Sequence, residues 1–418
     1  MMETAGSYKA PAIIKTVRIL QLMKWLSPAE DTGGKIRSFR IGKALSSFAL
    51  VDAAGFVFPC EEPNGKEDHL SHYNRLYTLP VPRGARSVLQ AMTSFAGGLS
   101  LRTARFSPGE FGQFVERILR ETSYDAIHVE ELPLMASLSS LSLDIPVIFS
   151  SHNVESKLSL SLFRRRNPLL KLLSDIEFGR TVQEERNAVL RARSCIAVSE
   201  RDRHSLSRLL KENVTPMHVL PNCAHDRFQP SSGEMHGKGI LTVGSFGWYP
   251  NRDGLVWFMD KVVPLLRKQI PSVEIRVAGS EIHPPLRRKL ERQGIDVHVD
   301  VPDILPFLQE ARLLFVPLRI GGGTRIKIVE AWAAGLPVVS TSIGAEGLPC
   351  RPGVDVLIAD DAAGFAAQMG RLLKDDGLYG KLRSEGLKKS RDLRWSGMSS
   401  PLAQIYKNVL KDREIVHP

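Results

Sequence analysis

LLFVPLRIGGGTRIKIVEAWAAGLPVVSTSIGAEG, running from Leu313 to Gly347, decides how the rest of the chain is read. Leu313 to Leu318 is an apolar run of buried-strand character, and Gly321, Gly322 and Gly323 follow it. A helix pattern spans Thr324 to Ala334, Gly335 and Pro337 break it, and Pro337 to Ser340 reads as a second strand. Strand, glycine loop, helix and strand make a βαβ crossover. The helix start in such a unit presents free N–H groups and a positive dipole end, which suits a phosphate. Arg325 falls in the first turn of the pattern, where a cation opposes the dipole and needs another reason to be there. Lys327 and Glu330 lie three apart, on a face that Ala331 and Ala334 continue. Cations at the tip and a carboxylate one turn in fit a nucleoside diphosphate with its ribose behind. The plainer alternative is a solvated helix face with ordinary charges.

The same plan recurs on either side of this unit. Val17 to Trp25 reads as a strand running into Gly33 and Gly34, which open a basic amphipathic helix and offer a second phosphate cradle. Ala126 to Val129 is a strand, and IPVIFSSHNVE supplies another that ends at His152. A helical stretch is expected from about Arg164 to Arg193, then strands at Cys195 to Val198 and Met217 to Leu220. Gln229 to Gly239 has a linker composition, after which alternation restarts at Ile240 to Ser245. Asp52 to Ser107, punctuated by Pro59, Pro63, Pro80 and Pro82, yields no clear elements. Strands alternating with helices predict two doubly wound α/β sheets, whose ligands sit beyond the carboxyl ends of the strands and in the cleft between domains.

A chain of 418 residues is long enough for two domains, and 43% hydrophobic with 24% charged residues is ordinary for a globular protein. Cys60, Cys195, Cys223 and Cys350 are scattered without a CxxC pair, which speaks for a reducing compartment and against a cysteine metal site. No apolar run has the length of a membrane span and no signal-peptide pattern opens the chain, so a cytoplasmic location is expected. The net charge of +11 is divided almost equally about Asn222. It favours anionic partners in general; no aromatic-interleaved basic motif supports nucleic acid. Arg37, Arg40 and Lys43 on the early helix would permit peripheral docking on an anionic membrane. No GxGxxG follows a strand with an acidic residue about 20 positions on, which argues against a Rossmann oxidoreductase.

Five pieces in order, the TGG ending at Gly34, SHNVES, LPN at Asn222, VGSFGWYPNRDG and GGGTRIKIVEAWAAGLPVVSTSIGAEGL, resemble the retaining family-4 glycosyltransferases of GT-B fold, in their TRxK subgroup. The resemblance covers roughly Val17 to Leu410. It implies two Rossmann-like domains facing across a cleft: residues 1–228 on the acceptor side, 229–395 holding the nucleotide sugar, and a final helix within 396–418 crossing back. It implies a metal-independent hexosyl transfer from a UDP- or GDP-sugar, without a further cofactor, to a glycan or lipid-linked acceptor in surface polysaccharide or glycoconjugate synthesis. Residue by residue, Glu330 matches the carboxylate that accepts from the ribose hydroxyls, and Gly33 and Gly34 match the pair that approaches the diphosphate. His152 matches a histidine near the transferred sugar. Arg325 and Lys327 match the subgroup's basic positions, within a loop to which Gly322, Gly323 and Thr324 contribute.

Two departures stand out. The family's first Glu, eight residues before the second, is Gly322 here, so the sugar must be read by backbone N–H groups or by another side chain. Where many members place an Arg and a Lys after the first C-terminal strand, this chain has Ser245, Asn251 and Arg252. Arg325 and Lys327 are expected to supply the missing neutralisation. Related GT-B chemistry (an epimerase or a phosphorylase) and non-catalytic nucleotide-sugar or glycan binding are the alternatives.

Overall fold

A computed structural model of the chain describes residues 17–26, 32–58, 70–106, 108–164, 171–210, 215–230 and 237–410. Its strands divide into two parallel sheets. The first contains β1 (Arg18–Trp25), β2 (Leu50–Val57), β3 (Arg75–Pro80), β4 (Ala126–Glu130), β5 (Val147–Ser150), β6 (Ser194–Ala197) and β7 (Met217–Val219), in the order β3-β2-β1-β4-β5-β6-β7. The second contains β8 (Ile240–Ser245), β9 (Ile275–Ser280), β10 (Asp296–Val299), β11 (Leu313–Val316), β12 (Val338–Ser340) and β13 (Leu357–Ile358), in the order β10-β9-β8-β11-β12-β13. Strand order reverses between β1 and β4 in one sheet and between β8 and β11 in the other. Doubly wound sheets bind ligands at such reversals, because the loops diverge there and leave a crevice.

The stretch that resisted reading, Asp52 to Ser107, contains most of β2, all of β3 and two helices, Gly84–Ala96 and Leu101–Ala104, among its described residues. β2 is built around Asp52, Ala53, Ala54 and Gly55, residues of poor strand propensity, yet all but its first residue are buried. Pairing with β1 and β3 on both sides overrides local preference. The long helix expected over Arg164 to Arg193 is instead Glu155–Arg164 followed by Lys171–Arg191; residues 165–170 lie outside the described set. Residues 1–16 and the 231–236 part of the linker also lie outside it.

The last helix, Ser399–Val409, packs on the helix Gly33–Ser46 of the first sheet. Tyr406 is fully buried there, with its ring 5.7 Å from that of Phe48 and its hydroxyl 2.8 Å from His128 Nδ1. One apolar cluster runs from Ile19 and Phe39 through Tyr406 and Leu402 to Trp332 and Val338. The cores of the two sheets are therefore continuous behind the cleft. Among the described residues no helix is long and apolar enough to cross a membrane.

Candidate active site

The crossover helix that opened the sequence reading spans Ile326–Ala333 and is buried along nearly its whole length. Ile328, Val329 and Trp332 fill the space under β11 and β12, each contributing about 1.5–3 kcal/mol by leaving water. Lys327 and Glu330 therefore do not lie on a solvated face. Arg325 is the N-cap rather than a first-turn residue, in extended conformation and without a side-chain cap bond. Thr324 likewise precedes the helix. The sequence pattern could not separate these positions because Thr and Arg are both compatible with a helix interior.

Before the helix, Gly322 and Gly323 lie against the segment that follows β5, whereas Gly321 lies against Arg325 and Ile343. Gly323 has a φ of +67°, and a Cβ there would stand 2.4 Å from Asn153 Oδ1 and 2.6 Å from His152 O. Only glycine meets both demands. Gly322 differs, since a Cβ would sit 3.5 Å from Leu158 Cβ in ordinary contact. Space alone does not explain the absence of a side chain at Gly322. With its amide nitrogen toward the two carbonyls, Asn153 donates to Gly322 O (2.9 Å) and His152 O (3.1 Å). Asn222, the end of LPN, donates to Thr324 Oγ1 (2.9 Å) and accepts from Arg37 Nη1 (3.0 Å). Arg37 is thus buried in the link between domains, which removes it from the membrane-facing set expected from the sequence.

Both cations of the loop point inward. Arg325 Nη1 donates to the carbonyls of Gly322 and Gly323, the latter at 3.2 Å, while Nε and Nη2 are buried without a hydrogen-bond partner among the described residues. Burial lowers its pKa to about 10, against the pull of Glu346 and Asp202. Two unsatisfied N–H positions on a fixed guanidinium suit an oxyanion that brings its own acceptors. Lys327 Nζ donates to Val243 O at the end of β8 and to Asn251 Oδ1 at 3.3 Å. Gly244 makes room for it, since a Cβ there would stand 2.7 Å from Nζ. The ammonium therefore reaches the strand end after which the family commonly carries its own cations. Burial first, then Arg325, lowers Lys327 to about 7; burial raises the Glu330 carboxyl to about 7.

The lowered Lys327 has a pH consequence. An anion that pairs with the ammonium raises its pKa, so affinity is full below the free-state value and declines as pH rises through about 7. The decline should approach tenfold per pH unit, the limit for one linked proton, until the liganded pKa is passed. Isothermal titration of a nucleoside diphosphate from pH 6 to pH 9 measures it. Lys327→Arg should flatten the profile, because guanidinium stays protonated over that range.

The opposite wall is formed at the ends of β4 and β5. His152 is 8% exposed, with Nε2 2.6 Å from Glu130 Oε2 and Nδ1 3.9 Å from Glu131 Oε1. Glu130 also accepts from Gln21 Nε2 (3.1 Å) and stands 3.2 Å from His128 Nε2. Burial would raise the Glu130 carboxyl, but His128 and then His152 outweigh it and hold it well below the usual range. An ionised carboxylate only accepts, so the short contact places the His152 proton on Nε2. Glu131 adopts a φ of +73° and pairs with Lys24, which turns its carboxylate toward His152. Gly33 and Gly34 open the helix after β1, with Thr32 as the N-cap. A Cβ on Gly33 would lie 3.6 Å from Ile326 Cδ1; one on Gly34 would lie 3.8 Å from both Glu131 Oε1 and His152 Nδ1.

The structure therefore brings Gly33, Gly34, His152, Gly322, Gly323 and Thr324 into one interdomain seam, with Arg325 behind the loop and Lys327 and Glu330 on the buried helix. Sequence reading missed Glu130, Glu131 and Lys24. Their signal was positional: two carboxylates directly after a predicted strand in a doubly wound sheet.

Two family models match the chain. One described as Glycosyltransferase Family 4 covers residues 77–227, and one described as Glycosyl transferases group 1 covers residues 237–375. A Klebsiella pneumoniae protein named "Uncharacterized 44.6 kDa protein in cps region" is 28% identical over 41% of this chain, a match spanning only 44% of that relative's length. The phosphatidyl-myo-inositol mannosyltransferase of Mycobacterium leprae is 26% identical over 74% of this chain and 80% of its own. Among solved structures, the sucrose-phosphate synthase of Thermosynechococcus elongatus superposes with a TM-score of 0.72 at 15% identity, covering 95% of this chain and 100% of that one. Anabaena HepE in complex with UDP-glucose superposes with a TM-score of 0.66 at 14% identity, covering 94% and 99%.

Proposed function

Because the chain belongs to the family-4 glycosyltransferases of GT-B fold, we propose that it moves a hexose from a UDP- or GDP-sugar to a glycan or lipid-linked acceptor with retention at the anomeric carbon. The observation that carries this reading is the buried Arg325 and the half-buried Lys327 behind a glycine loop that meets His152 and Asn153 across the domain seam. Cleaving a glycosyl–phosphate bond develops negative charge on the departing diphosphate and positive charge at the anomeric carbon. Fixed cations and a helix N-terminus stabilise the former without reorganising. Lys327 and the unsatisfied N–H positions of Arg325 take that role. Glu330 accepts from the ribose hydroxyls.

On the opposite wall His152, held by Glu130, orients or stabilises the sugar. The acceptor oxygen attacks from the face that the diphosphate leaves, and a phosphate oxygen takes its proton. With Gly322 in the place of the family's first Glu, the backbone N–H groups of the loop read the donor sugar. The relative named for phosphatidyl-myo-inositol supports a lipid-borne acceptor, and the one named for the cps region supports a surface glycoconjugate.

A thermal-shift screen of UDP-, GDP- and ADP-sugars tests the donor, because a ligand at a hundred times its Kd raises apparent stability by about 2.7 kcal/mol. Radiolabelled transfer with anomeric analysis of the product tests the reaction. Inversion would overturn the retaining mechanism, epimerised donor would point to an epimerase, and binding without hydrolysis or transfer would leave a sugar-nucleotide binder.

A further inference from the structure

Glu131 and Lys24 stand at the seam with no task yet in the transfer reaction. Glu131 follows β4 with φ +73° and ψ 149°, a backbone conformation that only glycine adopts without strain. It holds the N-cap position of the helix Leu132–Ser137, yet its side chain makes no cap bond. Its N–H donates to Ser150 O at 3.0 Å, so the neighbouring strand fixes the turn. The carboxylate is thereby sent toward His152 and Gly34 instead of onto the helix it precedes.

Its two oxygens have different surroundings. Oε2 accepts from Lys24 Nζ. Oε1 has no hydrogen-bond donor among the described residues, although Glu131 is only 7% exposed. It stands 3.9 Å from His152 Nδ1, and a Cβ on Gly34 would lie 3.8 Å from both atoms. With the His152 proton on Nε2, Nδ1 is an acceptor as well. Two acceptors thus face each other across a gap too wide for a hydrogen bond, beside a residue that has no side chain to fill it. Burial pushes the Glu131 carboxyl up, but its charged neighbours, Lys24 first, outweigh it and hold it below the usual range. Buried lone pairs without donors are satisfied by a ligand that brings its own hydrogens.

Sugar hydroxyls bring them. A hydroxyl both donates and accepts, whereas the backbone N–H groups of the glycine loop only donate. They leave the hydroxyl protons without an acceptor, and Gly322 has no carboxylate to take them. We propose that Glu131 Oε1 and His152 Nδ1 accept from two adjacent hydroxyls of the transferred hexose, so that the first domain supplies the carboxylate that the glycine loop lacks. Glu131 is then a specificity-determining residue for the donor sugar. Lys24 is a positioning residue, which holds Oε2 and keeps Oε1 turned inward. The assignment rests on the proposed transfer reaction.

The test is titration calorimetry of the full chain with UDP, UDP-glucose, GDP and GDP-mannose, and with deoxyfluoro analogues of both sugars at C2, C3, C4 and C6. Fluorine fills the place of a hydroxyl but has no proton to donate. In the wild type, fluorine at one position should weaken the nucleotide sugar by roughly ten- to a hundredfold, as for a hydrogen bond to a charged group. At the adjacent position, which meets the uncharged ring, the loss should be smaller. In Glu131→Gln, Lys24 draws the amide oxygen, and the NH2 turned to the site donates where an acceptor is needed. That variant should bind the bare nucleotide like the wild type, bind the parent sugar roughly ten- to a hundredfold more weakly, and ignore fluorine at the stronger position. Glu131→Gly is free of strain at this φ and should behave alike. Binding of the bare nucleotide shows that either variant is folded. Analogues that bind the wild type as tightly as the parent sugar overturn the proposal, as do analogues weakened equally in wild type and variants. An equal loss for nucleotide and nucleotide sugar also overturns it and leaves Glu131 a structural residue. In these outcomes the transfer reading stands. A wild type that binds none of these nucleotides overturns that reading and the proposal together.

Discussion

Replacing both Arg325 and Lys327 with alanine is expected to weaken nucleoside diphosphate binding by roughly a thousandfold, from about 1.5–3 kcal/mol for each charge-assisted contact in a buried site. The two cations act differently. Arg325 gathers the carbonyls of Gly322 and Gly323 with one nitrogen and leaves two others unsatisfied, so its loss removes both an anion contact and the brace of the loop. Lys327 is anchored at the end of β8 by Val243 O and Asn251, so its loss removes charge without disturbing the glycines. The single variants should therefore separate. Lys327→Met should lower affinity and remove its decline above pH 7, while Arg325→Ala should also loosen the contact with Asn153. Titration calorimetry at pH 7 reads the effect, and an unchanged dissociation constant in the double variant would sink the assignment.

The second large effect is expected at Glu130. Three buried groups, Gln21, His128 and His152, turn toward its carboxylate, and it lies beneath the site with no solvent exposure. Glu130→Ala strands those partners and should cost about 3–5 kcal/mol of stability, measured by urea unfolding. Glu130→Gln keeps the shape but removes the charge that holds the His152 proton on Nε2. A displacement of the order of 1 Å can cost about a hundredfold in rate, so kcat should fall by about that much. Donor affinity should hardly move, since the diphosphate contacts lie on the other wall. A fall in donor affinity that matches the fall in kcat would show that Glu130 merely supports the fold. Tyr406→Phe offers a milder version: it removes the hydroxyl that reaches His128 from the last helix.

Much of the plan was legible in the chain. Short apolar runs ending in glycine, proline or histidine marked the strands because a parallel sheet buries both faces of its strands. That is why β1, β4, β8 and β11 were read close to their observed positions. β2 escaped because its Ala-Ala-Gly centre carries no strand preference of its own and exists only through its neighbours. The glycines were legible in kind but not in reason. Gly323 is required by its positive φ and by the His152 carbonyl, whereas Gly322 has room for a side chain.

The charges show most clearly where sequence stops. Lys327 and Glu330 at i and i+3 read equally well as a solvated pair or as a buried site, since periodicity reports a face and not what covers it. Packing of that helix beneath the interdomain seam decided between them and moved both groups to about pH 7. Arg37 looked like a surface cation, and contact with Asn222 from 185 residues away made it an interior one. By itself, the Leu313–Gly347 stretch determined a strand, a glycine loop and a helix start suited to a diphosphate, because those depend on local backbone chemistry. The tertiary structure alone decided the His152–Glu130 pairing and the inward turn of both cations. Such features depend on desolvation and on partners far apart in the chain, which no local pattern encodes.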